Sequence, residues 1–153
     1  MYRLIKFIII LPLLSLNLLA QNRFDTESII IRELKTFEND NFTIKEAAFS
    51  EGGSVFNYTT YIPNSSDDRL TFNLENVNIF TAKKVTAKGH YQYDLMVETR
   101  GKGGKIRFNG GEISGAIPLI KNVSNKNRID ALVKAFAHLK KLLGTEDSRS
   151  PFQ

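Results

Sequence analysis

The side chains that could take part in acid–base or metal chemistry are few and lie far apart in this sequence. The chain has two histidines, His90 and His138, and no cysteine. A zinc site needs three or four nitrogen or sulfur ligands at a recognisable spacing, and a thiol nucleophile needs cysteine. No serine stands in a Gly-x-Ser-x-Gly setting, so the sequence offers no nucleophile elbow. We therefore interpret both histidines as surface or packing residues.

Carboxylates form the next set of candidates. Asp94 and Glu98 are predicted to share one strand face, and Glu112 could approach them, as the carboxylate pair of a glycosidase would require. Asp67 and Asp68 are adjacent in a polar loop, but calcium sites need six to eight oxygen ligands. We interpret the first group as solvent-facing and the second as turn-forming. The sequence thus predicts a protein that is not an enzyme and uses no cofactor, with a hydrolase of unrecognised carboxylates as the catalytic alternative.

A glycine-rich basic segment is the most prominent polar pattern. Residues 101–105, Gly-Lys-Gly-Gly-Lys, superficially suggest a phosphate-binding loop, but a P-loop continues through Lys-Ser/Thr into a helix. Here the strand-like run Ile106-Arg107-Phe108 follows, which indicates a hairpin turn. This hairpin is a candidate contact for an anionic surface, formed by Arg100, Lys102, Lys105 and Arg107. A second basic cluster of the same kind consists of Lys83, Lys84 and Lys88.

Aromatic side chains are the remaining candidates for a site. On facing strands such residues usually form core and cross-strand pairs, but in a curled sheet they can line a cavity for an apolar ligand. Both interpretations stay open at this point. The residues that would line the cavity are Phe56, Tyr58, Tyr91, Tyr93 and Phe136.

Alternating apolar residues predict six or seven antiparallel strands between residues 42 and 119, which would position these side chains. Runs such as residues 55–62 and 91–97 are rich in the aromatic and β-branched residues that strands prefer. Asn-Gly and Gly-Gly pairs between the runs are typical of hairpins. The segment 77–86 is predicted to be irregular. Because no βαβ rhythm is present, we expect no parallel sheet.

Two helices are predicted to flank the strands. The C-terminal helix is capped by Asn125 or Asn127, ends at Gly144, and carries one broad apolar stripe: Ile129, Leu132, Val133, Phe136, Leu139 and Leu143. Residues 26–37 predict a short helix, although the isoleucine triplet 29–31 also fits a strand. The stripe needs an apolar sheet to cover. The expected fold is therefore α+β, an antiparallel sheet or open barrel packed by a C-terminal helix, with a short N-terminal helix.

Residues 1–20 predict a secretory signal peptide. Arg3 and Lys6 precede an apolar run over residues 7–19, and Ala20 is a small residue at the expected cleavage point. The run is shorter than the roughly 20 apolar residues that a membrane span needs, so we expect no transmembrane segment after cleavage. Whether the signal is cleaved or retained stays open. One domain is expected over residues 21–147, followed by a tail at 148–153.

The predicted signal peptide indicates export, so we expect the protein and its partners to be periplasmic or extracellular. Without Arg3 and Lys6 the net charge falls from +5 to +3, which is an ordinary surface charge and does not indicate nucleic-acid binding. We expect an exported binding or interaction domain that acts on an unknown protein or envelope component. The alternative is a carrier that holds a small apolar or lipid ligand between the last helix and the sheet.

The C-terminal helix also carries a family resemblance. Residues 132–144 read Leu-Val-Lys-Ala-Phe-Ala-His-Leu-Lys-Lys-Leu-Leu-Gly. This run resembles the last helix of a group of uncharacterised secreted bacterial proteins, which carries the pattern Leu-Val-Lys-Ala-Phe-x-His-Leu. The group is also similar to this chain in its terminal Pro-Phe, here Pro151-Phe152, and in the segment Phe72–Val77. The chain departs from the group at Leu143, where a small or polar residue is usual. The resemblance implies a β-rich, pleckstrin-homology-like architecture, and it implies no activity or ligand.

Overall fold

The computed structural model describes residues 22–39, 42–63, 65–101 and 104–144. The predicted signal peptide, Lys102 and the tail lie outside the described residues, so the predictions made for them stay predictions. The described chain is α+β, with two helices and eight strands. No helix among the described residues is long and apolar enough to span a membrane.

The N-terminal helix, α1, is helical from residue 22 to residue 35. Ile30 and Leu34 lie on its buried face with no exposed surface, as the apolar spacing predicted, and Phe37 follows in the next turn, half-buried. The strand alternative for residues 29–31 is wrong. The helix also begins earlier than residue 26, and the pattern missed this first turn because residues 22–25 carry no apolar period.

The C-terminal helix, α2, spans Lys126–Leu142 and confirms the predicted caps. The Asn125 side chain accepts a hydrogen bond from the Asn127 backbone N–H at 3.1 Å, which satisfies one free donor of the first turn. Gly144 ends the helix with a φ of 73°, a left-handed conformation that glycine adopts without steric cost. The fully buried residues of the predicted stripe are Ile129, Leu132, Phe136 and Leu139.

The strands between the helices form two antiparallel sheets. The larger sheet has the order β1-β2-β3-β6-β7, and the smaller one has the order β4-β5-β8. The strands are β1 (Thr43–Ser50), β2 (Val55–Tyr61), β3 (Asp68–Asn73), β4 (Val77–Val85), β5 (Tyr91–Thr99), β6 (Ile106–Phe108), β7 (Gly111–Ile113) and β8 (Ala116–Val123).

Two features of the chain correct the predicted strand count and the single sheet or open barrel. The segment predicted to be irregular is β4, which pairs with β5 over its whole length, from Val77 opposite Thr99 to Val85 opposite Tyr91. Residues 113–119, whose alternating apolar side chains predict a single last strand, divide at Gly115, where a φ of 119° turns the chain from β7 in one sheet to β8 in the other. The arrangement is therefore two separate sheets and not a closed barrel.

The chain crosses between the sheets where β3 leads to β4 and where β5 leads to β6. A 3₁₀ turn, Leu74–Asn76, makes the first crossing. The returning chain lies directly against it, because the Arg100 N–H donates to the Asn76 carbonyl at 2.7 Å. Gly104 fits here because a Cβ would stand 2.6–2.8 Å from the backbone of Asn76 and Arg100.

One hydrophobic core joins both sheets and both helices. The Phe136 ring of α2 meets the Phe56 ring of β2 edge-on, with centroids 5.7 Å apart and planes at 83°. The same helix packs on β4 and β5, and its buried Lys140 Nζ donates to the Val77 carbonyl at 2.8 Å. The apolar stripe of the last helix therefore packs on the strands, as the sequence predicted, but it covers strands of two sheets instead of one.

Candidate ligand-binding cleft

At one end of the molecule a cleft of about 590 Å³ separates the larger sheet from β8. Alternate residues of β2 and its extension, Tyr58, Thr60 and Ile62, line one wall, so that wall is the inner face of the larger sheet. Leu70 of β3 and Phe108 of β6 continue the same wall. The segment that follows α1 and the first turn of α2 close the end of the cleft.

The opposite wall is the edge of β8. Residues 117–124 all line the cleft, whereas a strand that offered only one face would contribute every second residue. This agrees with the sheet order, in which β8 is an edge strand. Pro118 lacks an N–H, and the Leu119 carbonyl already accepts the Tyr58 hydroxyl at 3.2 Å. Both features hinder the addition of a further strand at this edge.

The surface of the cleft is apolar and polar in about equal parts, and its apolar part lies on both walls. Tyr58, Leu70 and Leu119 are buried at its floor. Ile62, which directly follows β2, is 40% exposed at the rim. Half-buried apolar side chains of the lining are Phe37, Phe42, Phe108, Ile117, Pro118 and Val123. A ligand with an apolar body would find complementary side chains on both walls.

Arg128 holds one end of the cleft together. Its Nη2 donates to the Thr36 carbonyl at 3.0 Å and to the Thr36 hydroxyl at 2.6 Å. Its guanidinium also lies 4.2 Å from the centroid of the Phe37 ring, a cation–π contact. These contacts join the first turn of α2 to the turn after α1. The rim is therefore held by side chains that are far apart in sequence.

Tyr58 is a neutral hydrogen-bond donor at the floor of the cleft. Burial raises the pKa of its phenol far above the usual value, and the nearby Glu38 carboxylate raises it further. The Glu38 Oε1 itself accepts the Ile44 N–H at 2.7 Å, which fixes it beside the cleft. A phenol in this state donates to a carbonyl and is a poor acid or nucleophile.

The predicted aromatic lining is dispersed by the structure. Tyr58 lines the cleft, whereas Phe56 and Phe136 are core residues without exposed surface. Tyr93 of β5 is half-buried against the core. Tyr91 is 55% exposed and lies beneath the Lys83 ammonium, 3.6 Å from its ring centroid. The space between α2 and the strands is filled by core side chains, and the cleft lies between the sheets instead.

The predicted basic hairpin is only partly described, since Lys102 lies outside the described residues. Lys105 forms an ion pair with Glu112 at 2.7 Å, and this contact lowers the pKa of the Glu112 carboxyl. Arg107 is exposed beside the pair, and Arg100 is half-buried at the crossing between the sheets. Of the four predicted basic residues, Lys105 is therefore neutralised by Glu112, and Arg100 is only partly available to an anionic surface.

The predicted catalytic candidates are placed apart and have structural contacts. His90 and His138 are both exposed. The Asp94 carboxylate bonds the Lys84 ammonium at 2.9 Å and the Asn122 N–H at 2.7 Å, and Asp67 pairs with Lys45 at 2.7 Å. Within the described ranges, no group of three or more His, Cys, Asp or Glu side chains could hold a metal ion.

Sequence reasoning identified Tyr58 but missed most of the cleft. Phe37 falls at the end of the predicted helix 26–37, and Phe42, Ile62 and Arg128 carry no pattern that points to a site. The one available signal was Ile62, an apolar residue directly before Pro63, where the strand must end.

Comparison of the chain with protein-family models, with curated proteins and with solved structures found no match. The resemblance to secreted bacterial proteins stays a prediction.

Proposed function

We propose that the protein is an exported, non-enzymatic binding domain that holds a small, largely apolar ligand in the cleft between its two sheets. The observation that carries this proposal is the cleft itself. Its volume of about 590 Å³ lies within the ~300–1,000 Å³ range of small-molecule sites, and its lining combines apolar and polar surface in about equal parts. Protein interiors are otherwise close-packed, so a gap of this size between two sheets supports a binding role.

The arrangement of side chains supports binding by burial. The floor formed by Tyr58, Leu70 and Leu119 would contact the apolar body of the ligand, and burial of apolar surface contributes roughly 25 cal/mol per Å². Polar groups of Asn39, Lys121 and Arg128 stand among the lining residues and would meet a polar end of the ligand. Polar groups placed beside apolar side chains are typical of sites that orient a ligand.

The same geometry favours binding over catalysis. The raised pKa keeps the Tyr58 phenol protonated, and its hydroxyl is committed to the Leu119 carbonyl. Of the two carboxylates that the described residues contribute to the lining, Glu38 accepts a backbone N–H and Asp68 accepts the Asn109 side-chain amide at 2.9 Å. Groups held in this way act as structural acceptors.

The proposal is tested by titration with the apolar fluorescent dye N-phenyl-1-naphthylamine. The wild-type protein is expected to bind the dye saturably. Ile62→Asp places a carboxylate at the apolar rim and is expected to weaken binding at least about tenfold, because a charge next to an apolar ligand must be desolvated. Ile62 lies outside the strands, so the fold should tolerate the change.

Ile29→Asp is the matched control, since Ile29 is 43% exposed and Ile62 is 40% exposed, and Ile29 lies on α1 away from the cleft. The control should bind the dye as the wild type does, and both variants should unfold within about 0.5–1 kcal/mol of it. Equal affinity of the two variants, or no saturable binding by the wild type, would refute the proposal.

A further inference from the structure

The turn that joins β4 and β5 combines exposed apolar side chains with several lysines. We define the hairpin tip as residues 83–91. Val85 and Tyr91 face each other across its end and are 62% and 55% exposed. The turn is well formed, because the Thr86 N–H donates to the His90 carbonyl at 2.8 Å and the Gly89 N–H donates to the Thr86 carbonyl at 2.9 Å. Two large apolar side chains are thus held in solvent by ordered backbone.

The charge around this tip has one sign. Residues 76–93 contain Lys83, Lys84 and Lys88 and no aspartate or glutamate. Asp94, just beyond, pairs with Lys84 at 2.9 Å. The Lys83 ammonium lies over the Tyr91 ring, which leaves its charge in place, and within the described residues no carboxylate pairs with Lys83 or Lys88. The tip therefore presents two uncompensated positive charges beside exposed Val85 and Tyr91.

We propose that the hairpin tip docks the protein on the surface of an anionic lipid bilayer. Tyrosine is enriched at membrane–water interfaces, where its ring and hydroxyl meet apolar and polar surroundings. Lysine side chains bury their stems along such a surface and bring their ammonium groups to anionic headgroups. The combination of Val85, Tyr91, Lys83 and Lys88 at one tip has this chemistry.

A bilayer suits the tip better than a protein partner does. A stable protein interface buries roughly 800 Å² on each side, far more than two side chains at a narrow turn can offer. A lipid surface needs no matching shape, and charge complementarity supplies the attraction. This inference goes beyond the proposed ligand site and does not depend on it, because no residue of the tip lines the cleft.

The test uses the absence of tryptophan from the chain. Tyr91→Trp introduces a single reporter at the tip, and Tyr61→Trp introduces one on β2, where Tyr61 is 37% exposed and also lies near a lysine, Lys45. Protein isolated from the exported fraction is mixed with vesicles of phosphatidylglycerol in phosphatidylcholine, or of phosphatidylcholine alone. The tip reporter is expected to shift to the blue and to be quenched by brominated lipids only with the anionic vesicles, and the β2 reporter should not respond.

The charge requirement is tested by vesicle sedimentation of the double variant Lys83→Gln/Lys88→Gln. The control, Lys35→Gln/Lys134→Gln, removes the same net charge from exposed positions on the two helices. The tip variant is expected to partition onto anionic vesicles about thirtyfold more weakly, and the control to bind nearly as the wild type does. The proposal would be overturned if the fluorescence of the tip reporter did not change with anionic vesicles, or if both double variants lost the same vesicle binding. It would also be overturned if that fluorescence changed on addition of another protein but not of vesicles.

Discussion

Replacement of Phe136 by alanine tests whether α2 is anchored to the strands as described. The ring has no exposed surface and meets Phe56 edge-on at 5.7 Å. Loss of a fully buried aromatic side chain costs about 1.5–3 kcal/mol of transfer free energy, and loss of the ring–ring contact costs about 0.5–1.5 kcal/mol. With the cavity that remains, we expect Phe136→Ala to lower the free energy of unfolding by about 3–5 kcal/mol.

Urea unfolding followed by circular dichroism measures this loss directly. His138→Ala is the matched control, because His138 lies two residues further along the same helix and is exposed, so its change should stay within about 0.5 kcal/mol. Where Phe136→Ala does not fold, Phe136→Leu keeps much of the side-chain volume and should show a smaller loss in the same direction. A folded Phe136→Ala variant that loses less than about 1 kcal/mol would refute the packing of α2.

Three further outcomes follow from the structure. Tyr58→Phe removes the hydrogen bond to the Leu119 carbonyl and should lower the free energy of unfolding by about 1 kcal/mol at neutral pH. Because the pKa of Tyr58 is raised in the folded state, the free energy of unfolding of the wild type should fall above about pH 10, and that of the variant should fall less steeply. Unfolding curves at alkaline pH measure both. Gly104→Ala must displace the backbone of Asn76 and Arg100 and should lower the melting temperature, whereas Gly111→Ala, whose Cβ would have its nearest neighbour at 3.6 Å, should change it much less. Asn122 has a φ of 63°. Asn122→Ala should therefore lower the free energy of unfolding, measured in urea, by about 1–2 kcal/mol, and Asn122→Gly should lower it less.

The helices could be predicted from the sequence because a helix is formed and capped by residues that are close together in the chain. The stripe of Ile129, Leu132, Phe136 and Leu139 repeats at helical spacing, and Asn125 and Gly144 mark its ends. The division into two sheets could not be predicted in this way. β3 pairs with β6 and skips the two strands between them, and no periodicity within a strand specifies its partner.

The candidate cleft was harder to predict than the fold. Its walls combine the inner face of β2 with the edge of β8, and Arg128 reaches Thr36 across 92 positions of sequence. Tyr58 could be identified because an aromatic residue on a strand usually either packs in the core or lines a cavity. The sequence could not decide between them for Phe56, whose ring is part of the core, because burial depends on which strands lie opposite.

The most direct test of the binding proposal is methyl NMR of the wild-type protein during titration with N-phenyl-1-naphthylamine. We expect saturable shifts in the methyl signals of Ile62, Leu70, Ile117 and Val123 on the two walls of the cleft, while those of Ile129 and Leu132 in the core of α2 stay in place. Shifts confined to other surfaces, or none at saturating dye, would contradict a ligand site between the sheets.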